Sequence, residues 1–256
     1  MWKPDLADDS LVKQEARAVL AEFMGTYALT FTSACAVMVA TISNHELDYI
    51  ARVAAPGLMV MAMIYTFGHI SGAHINAAVT VGFALRGAFA WLRVPGYLIA
   101  QCLGSLVAAF TLYQLFGNVE HLGATIPHHG ILQSVVLEAV LTTFLVTVVV
   151  GTATDGKIVG HNAGIAVGGT VALCGMIGAP ISGASMNPAL SFGPSLLSGN
   201  FGTYWVYVLG PLTGTLLAVG LNFLTQGEAS AQEQEAASGS GARPEHERRG
   251  PRRRAG

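Results

Sequence analysis

Charge is what this chain most lacks. Only 11% of its 256 residues are Asp, Glu, Lys or Arg, against 52% hydrophobic residues and a mean hydropathy of +0.52. A soluble domain needs about 25% charged residues to face water, so a water-exposed surface over most of this chain is excluded. Cysteine is also scarce. Cys35, Cys102 and Cys174 all fall in apolar runs with no paired spacing, which offers neither a disulfide framework nor a metal site. Catalytic patterns are missing too: there is no His-Glu-x-x-His and no nucleophile elbow, and His128-His129 stands in a loop without companions. No catalytic residue, metal, cofactor or nucleic-acid partner is expected.

What the chain does have is long apolar stretches. A membrane span takes about 20 mostly apolar residues, because a helix rises about 1.5 Å per residue through about 30 Å of hydrocarbon. Six such runs occur, near Val19–Ile42, Val53–His69, Trp91–Phe116, Ile131–Ala153, Asn162–Ala179 and Tyr204–Leu224. The first is too long for a signal-peptide core and is preceded by Asp5, Asp8 and Asp9, so it is expected to stay as a span. Thirty-one glycines suit close helix packing in lipid, and Gly160, Gly164, Gly168 and the pair Gly210 and Gly214 recur every fourth residue.

The 13 Lys and Arg residues set the orientation. Lys3, Lys13 and Arg17 precede the first span, Arg86 and Arg93 separate the second from the third, Lys157 separates the fourth from the fifth, and six Arg follow the last. Loops 43–50, 117–130 and 180–200 contain none, and Arg52 alone breaks the pattern. The positive-inside rule then places both termini in the cytoplasm of a multi-pass protein of the cell membrane. The expected organisation is a cytoplasmic N-terminus at 1–14, a membrane domain at 15–226 with repeats over about 15–116 and 131–226, and a basic tail at 227–256. From Glu228 onward there is no Leu, Ile, Val or aromatic residue, so the tail is expected to be disordered.

An internal repeat carries most of the information. Residues 69–78 read His-Ile-Ser-Gly-Ala-His-Ile-Asn-Ala-Ala, and residues 180–189 read Pro-Ile-Ser-Gly-Ala-Ser-Met-Asn-Pro-Ala, with Asn76 and Asn187 111 positions apart. Three spans separate the copies, an odd number, so the second enters from the opposite side: an inverted repeat. Asn is a strong helix N-cap and Pro188 suits the first helical position; about 12 residues then run to Gly87 and to Gly199. Each copy therefore predicts a half-helix too short to span alone. The irregular Ser-Gly-Ala backbone before each Asn is tolerated at membrane depth only where protein buries it or water reaches it. Glu22 and Glu138, in the first and fourth spans, are expected to accept hydrogen bonds from the backbone of these re-entrant loops.

The paired Asn motifs, Ala21-Glu22-Phe23 with Gly25-Thr26, the segment Gly68 to His74, Ala100-Gln101, and the run from Trp205 to Pro211 together resemble the aquaporin and major intrinsic protein family across about residues 21 to 225. The Ile-Ser-Gly-Ala context of both loops is most similar to the nodulin-26-like branch and its bacterial relatives. The resemblance implies an all-α membrane protein, a right-handed bundle of six transmembrane helices plus two re-entrant half-helices, assembled as a homotetramer in membrane lipid with one pore per subunit. It implies passive passage of small uncharged solutes. Asn76, Ala77, Ala78, Asn187, Pro188 and Ala189 would form the central constriction and break the proton-conducting water wire there.

Two departures bear on the solute. The first motif reads Asn76-Ala77-Ala78 without the usual Pro, and Ala still starts a helix well. The position after the second motif, usually Arg in the family, is Leu190. By spacing, the remaining filter positions are Pro56, Gly175 and Ala184, with Gly57 as an alternative to Pro56 because a Pro shifts helix register. His69 and His74 are candidates for the vestibule, with a structural hydrogen-bonding role open for His74. The resemblance implies glycerol or arsenite-like metalloid hydroxides, with water as a further permeant. Ser191, where glycerol facilitators carry Asp, argues against a dedicated glycerol channel. A water-selective channel and an ion-coupled transporter are the alternatives, though no acidic residue flanks Asn76 or Asn187.

Overall fold

The structure, a computed structural model, describes residues 6–44, 46–154 and 162–239. The loop carrying Lys157 and Gly160 and the terminal Arg run therefore lie outside the described residues. The chain order is α1 (Leu6–Ile42), α2 (Tyr49–Ser71), α3 (Ala77–Leu85), a 3₁₀ turn at Trp91–Arg93, α4 (Val94–Phe116), α5 (Glu120–Gly123), α6 (Ile131–Thr154), α7 (Ala163–Gly178), α8 (Pro188–Leu197), α9 (Val206–Gln226) and α10 (Ala231–Ser238). α5 is a single turn in which His121 and Leu122 are left-handed.

Five of these helices, α1, α2, α4, α6 and α9, are long and apolar enough to cross a membrane. α7 is the sixth span, with 16 described residues, about 24 Å of helix. α1 runs for 37 residues, about 55 Å, so residues 6–14 extend the first span as helix beyond the hydrocarbon. Large apolar side chains such as Leu92, Leu132, Leu173, Leu216 and Leu224 are exposed on the outside of the bundle, as lipid contact requires.

The two halves interlock. α1 packs on α4 and α6 on α9, while α2 crosses α7 at the pseudo-twofold axis. There an added Cβ on Gly57 would strike the carbonyl oxygen of Gly168, and one on Gly168 would strike that of Gly57. Gly104 lies against Phe23 O in the first half and Gly214 against Ala139 O in the second, so equivalent crossings need equivalent glycines. Each half-helix packs on the last span of the opposite half, α3 on α9 and α8 on α4.

The two ends of the bundle are identified by their contacts. At one end Arg93 pairs with Glu15 of α1 at 2.9 Å and Arg86 donates to Gly227 O at 2.7 Å. At the other, Thr41 donates to Glu120, Tyr204 to Pro188 O, and the His128 amide to Ile181 O. Both chain ends described thus share the basic end.

One expectation needs correction. The tail from 227 is not structureless throughout: residues 231–238 form α10, with Glu233 and Ala237 buried. Composition argued against it because there is no large apolar side chain to bury. The helix is held instead by the Ser230 N-cap, whose hydroxyl accepts from Glu233 N, and by an ion pair between Glu233 and Arg86. Residues 240–256 lie outside the described residues.

Candidate functional site

The half-helices are built as the sequence predicts, but shorter, 9 residues in α3 and 10 in α8. Asn76 Oδ1 accepts from the amides of Ala78 and Val79, and Asn187 Oδ1 from those of Ala189 and Leu190. Two orphan donors at each N-terminus are thereby satisfied. Gly87 and Gly199 follow the two helices in left-handed conformation, where a Cβ would be strained.

The approach to each Asn is backbone-strained in the same way. Gly72, Ala73 and Ile75 have φ of 84°, 46° and 42°; Gly183, Ala184 and Met186 have 89°, 50° and 51°. Left-handed geometry at a non-Gly residue costs about 1–3 kcal/mol and persists only where the surroundings over-determine it. Glu22 does so for the first loop. Its carboxylate accepts from His74 N at 2.9 Å, Ile75 N at 2.7 Å, the Ser71 hydroxyl at 2.7 Å and Gln101 Nε2 at 2.8 Å. Glu138 serves the second, accepting from Ser185 N at 2.9 Å, Met186 N at 2.7 Å and the Ser182 hydroxyl at 2.7 Å. Tyr97 and Tyr207 complete the symmetry by donating to Ser71 O and Ser182 O. Both carboxylates are fully buried and wholly occupied by donors, an arrangement that fixes loops and leaves no room for an ion.

The two loops also hold each other. Asn76 Nδ2 donates to Met186 O and Asn187 Nδ2 donates to Ile75 O, each at 2.9 Å. The Ala77 amide adds a 3.3 Å bond to Asn187 Oδ1, one that a Pro at this position would lack. The N-termini of the two half-helices are thus cross-tied, and each amide keeps one further N–H.

Asn76 and Asn187 both border a cavity of about 1050 Å³ whose lining runs from Glu120, Thr125 and His128 at one end to Gln232, Glu235 and Ala236 at the other. Pro56, Gly175, Ala184 and Leu190 all border it, as do Arg52, Val53 and Val171. Gly57 does not: it is buried at the α2–α7 crossing, so the alternative register is not adopted. Ala77, Ala78, Pro188 and Ala189 are buried behind the two Asn. Leu190 is 8% exposed, packs in the cluster with Leu141 and Val167, and places no charge in the cavity.

His69 is exposed and borders the cavity. His74 borders it too but is 3% exposed, ringed by Phe83, Phe89 and Tyr97, with Nδ1 3.2 Å from Thr80 Oγ1 and Nε2 2.9 Å from Ala237 O. Cys174 is turned away, with Sγ toward Leu141 O. No cluster of potential metal ligands occurs among the described residues.

Sequence reasoning missed two residues. Thr125, in the loop before α6, reaches the cavity and places its hydroxyl 2.7 Å from that of Ser191, which lies 2.6 Å from that of Ser185. Its only signal was a hydroxyl in a loop without Lys or Arg. Arg86 was read as a topology marker; it is 2% exposed and locked to α10.

Comparison with known proteins agrees with this architecture. A profile of the family described as major intrinsic protein matches residues 10–221. The chain is 45% identical to Aquaporin NIP1-1 of Zea mays over 199 residues, 77% of this chain and 71% of that one. It is 42% identical to Nodulin-26 of Glycine max over 211 residues, covering 81% and 78%. The aquaglyceroporin of Plasmodium falciparum superposes with a TM-score of 0.75 at 24% identity, over 81% of this chain and 95% of that one, a likeness of fold. The chain belongs to the major intrinsic protein family, a family of membrane channels, and its twice-broken bundle is that of a passive small-solute channel.

Proposed function

We propose that the pore conducts uncharged solutes of polyol and metalloid-hydroxide size, glycerol and arsenite among them, with water as a further permeant. The observation that carries this reading is that Pro56, Gly175, Ala184 and Leu190, none of them charged, border the same cavity as Asn76 and Asn187, with Arg52 one helical turn before Pro56 also on its wall. A bulky cation at Leu190 would narrow the passage and add a charge; an apolar branched side chain does neither. The maize relative's name, Aquaporin NIP1-1, supports water as a permeant.

Exclusion of cations and protons is assigned to the centre. Two half-helix N-termini bring about +0.5 charge each toward one point. The lost Arg would have added about 2 kcal/mol against a monovalent cation about 8 Å away at an effective dielectric near 20, or tens of fold at most. The remaining N–H of each Asn amide orients a passing oxygen so that its neighbours cannot relay a proton.

The basic end, with Lys13, Arg17, Arg86 and Arg93, is assigned to the cytoplasm, which puts both chain ends there and Thr125 at the outer mouth. The protein is read as a homotetramer in the cell membrane. Stopped-flow measurement of water, glycerol, urea and arsenite entry into proteoliposomes tests the selectivity. Entry of glycerol and arsenite well above empty vesicles is expected; water entry alone would replace this reading with a water-selective channel.

A further inference from the structure

We propose that the segment from Glu228 to Gly239 is an autoinhibitory plug: α10 docks into the basic-end mouth of the pore and must leave for full conduction. The inference rests on the channel reading above.

Three contacts place α10 at the pore and not merely near it. Ala237 O accepts from His74 Nε2 at 2.9 Å, two residues from Asn76. The carbonyl oxygens of Ala236 and Ala237 occupy the space where a Cβ on Gly72 would be, and Gly239 lies against the Ile70 carbonyl, so glycines on both sides allow the backbones to touch. Gln232, Glu235 and Ala236 then form part of the cavity lining beside Gly72, Val149 and Ala153. The helix is a wall of the passage at its inner end.

The latch is Arg86, directly after the half-helix that carries Asn76. Its Nε and one terminal nitrogen donate to the two carboxylate oxygens of Glu233 at 3.0 and 2.9 Å, its other terminal nitrogen donates to Gly227 O at 2.7 Å, and its guanidinium lies 4.6 Å from the centre of the Phe223 ring. Both side chains of the pair are fully buried. A buried ion pair holds only with complete, well-aligned hydrogen bonding, and removing one partner leaves an uncompensated charge. Such a pair is an unusual fastening for a segment with no large apolar residue, and it is one that breaks as a unit. Gly227, at φ 76° and ψ −148°, a conformation that favours glycine, separates α9 from the segment and supplies the hinge.

The test uses the full-length channel in proteoliposomes with the basic end outward. A Glu-specific protease cuts at exposed Glu228 and Glu235 after folding is complete, and washing releases the fragments without asking a variant to fold; mass spectrometry of the washed vesicles verifies both the cut and the release. Glycerol flux is expected to rise about threefold or more if the docked form dominates at rest. Glu233→Arg should raise flux in the same way, and the exchange Arg86→Glu with Glu233→Arg should bring it back toward the parent value. Equal, nonzero flux before and after the cut, or a fall, would overturn the plug and leave the channel standing. Absence of flux from both forms would overturn the channel reading and the plug with it.

Discussion

The two re-entrant loops share one framework and differ in what closes each mouth. Position by position, His74 and Thr80 of the first loop correspond to Ser185 and Ser191 of the second, and both pairs are joined by a hydrogen bond. Beyond that pair the halves diverge. In the first, the bond continues from His74 to Ala237 of α10; in the second, it continues from Ser191 to Thr125 of the loop before α6. The centre of the pore is thus fixed by what the halves have in common, and its two openings by what each half recruits from elsewhere in the chain.

The loop-supporting carboxylates give the largest expected effect. Glu22 accepts four hydrogen bonds and Glu138 three. An amide in either place turns a donor toward buried donors, at about 1–3 kcal/mol for each one left unpaired. Glu22→Gln should lower thermal stability and the yield of folded protein more than Glu138→Gln; the reverse order, read by size-exclusion chromatography on heating, would mean that the halves are not loaded as their hydrogen bonds suggest.

Leu190→Arg comes next. Placing a long cation on the cavity wall at this position should cut glycerol or arsenite entry about tenfold, a barrier change of about 1.4 kcal/mol, with a much smaller loss for water. Equal loss of every solute in stopped flow would remove Leu190 from selectivity. Thr125→Val, nearly isosteric, deletes one hydroxyl of the outer chain and should cost about 1 kcal/mol in unfolding while leaving the basic-end mouth unaffected. A thermal shift as large as that of Glu138→Gln would contradict a peripheral role. The smallest effect belongs to Ala77→Pro. It stiffens the start of α3 but removes the Ala77 N–H bond to Asn187, so the two changes should cancel within about 1 kcal/mol in a melting experiment.

The repeat made the centre legible. Asn76, Asn187 and the glycines before them are local signals, since caps and left-handed turns are chosen by residues within a few positions. The six spans were legible for the same reason, hydrophobic length being a local property. Pro56 over Gly57 was not: that choice depends on how α2 crosses α7, where Gly57 and Gly168 meet. The tail was misread because its helix is fastened by one charge 147 positions away, Arg86, and small side chains fill a mouth that the rest of the fold has already shaped. Thr125 was missed because only tertiary packing brings the outer loop down to Ser191.

The central claim is a passive passage between two oppositely inserted half-helices. Solute flux through the purified protein in proteoliposomes, with no ion gradient, tests it most directly across a range of temperatures and concentrations. The account predicts flux that stays proportional to concentration, with a low activation energy and no accompanying proton current. Flux that saturates, demands an ion gradient or carries protons would contradict it.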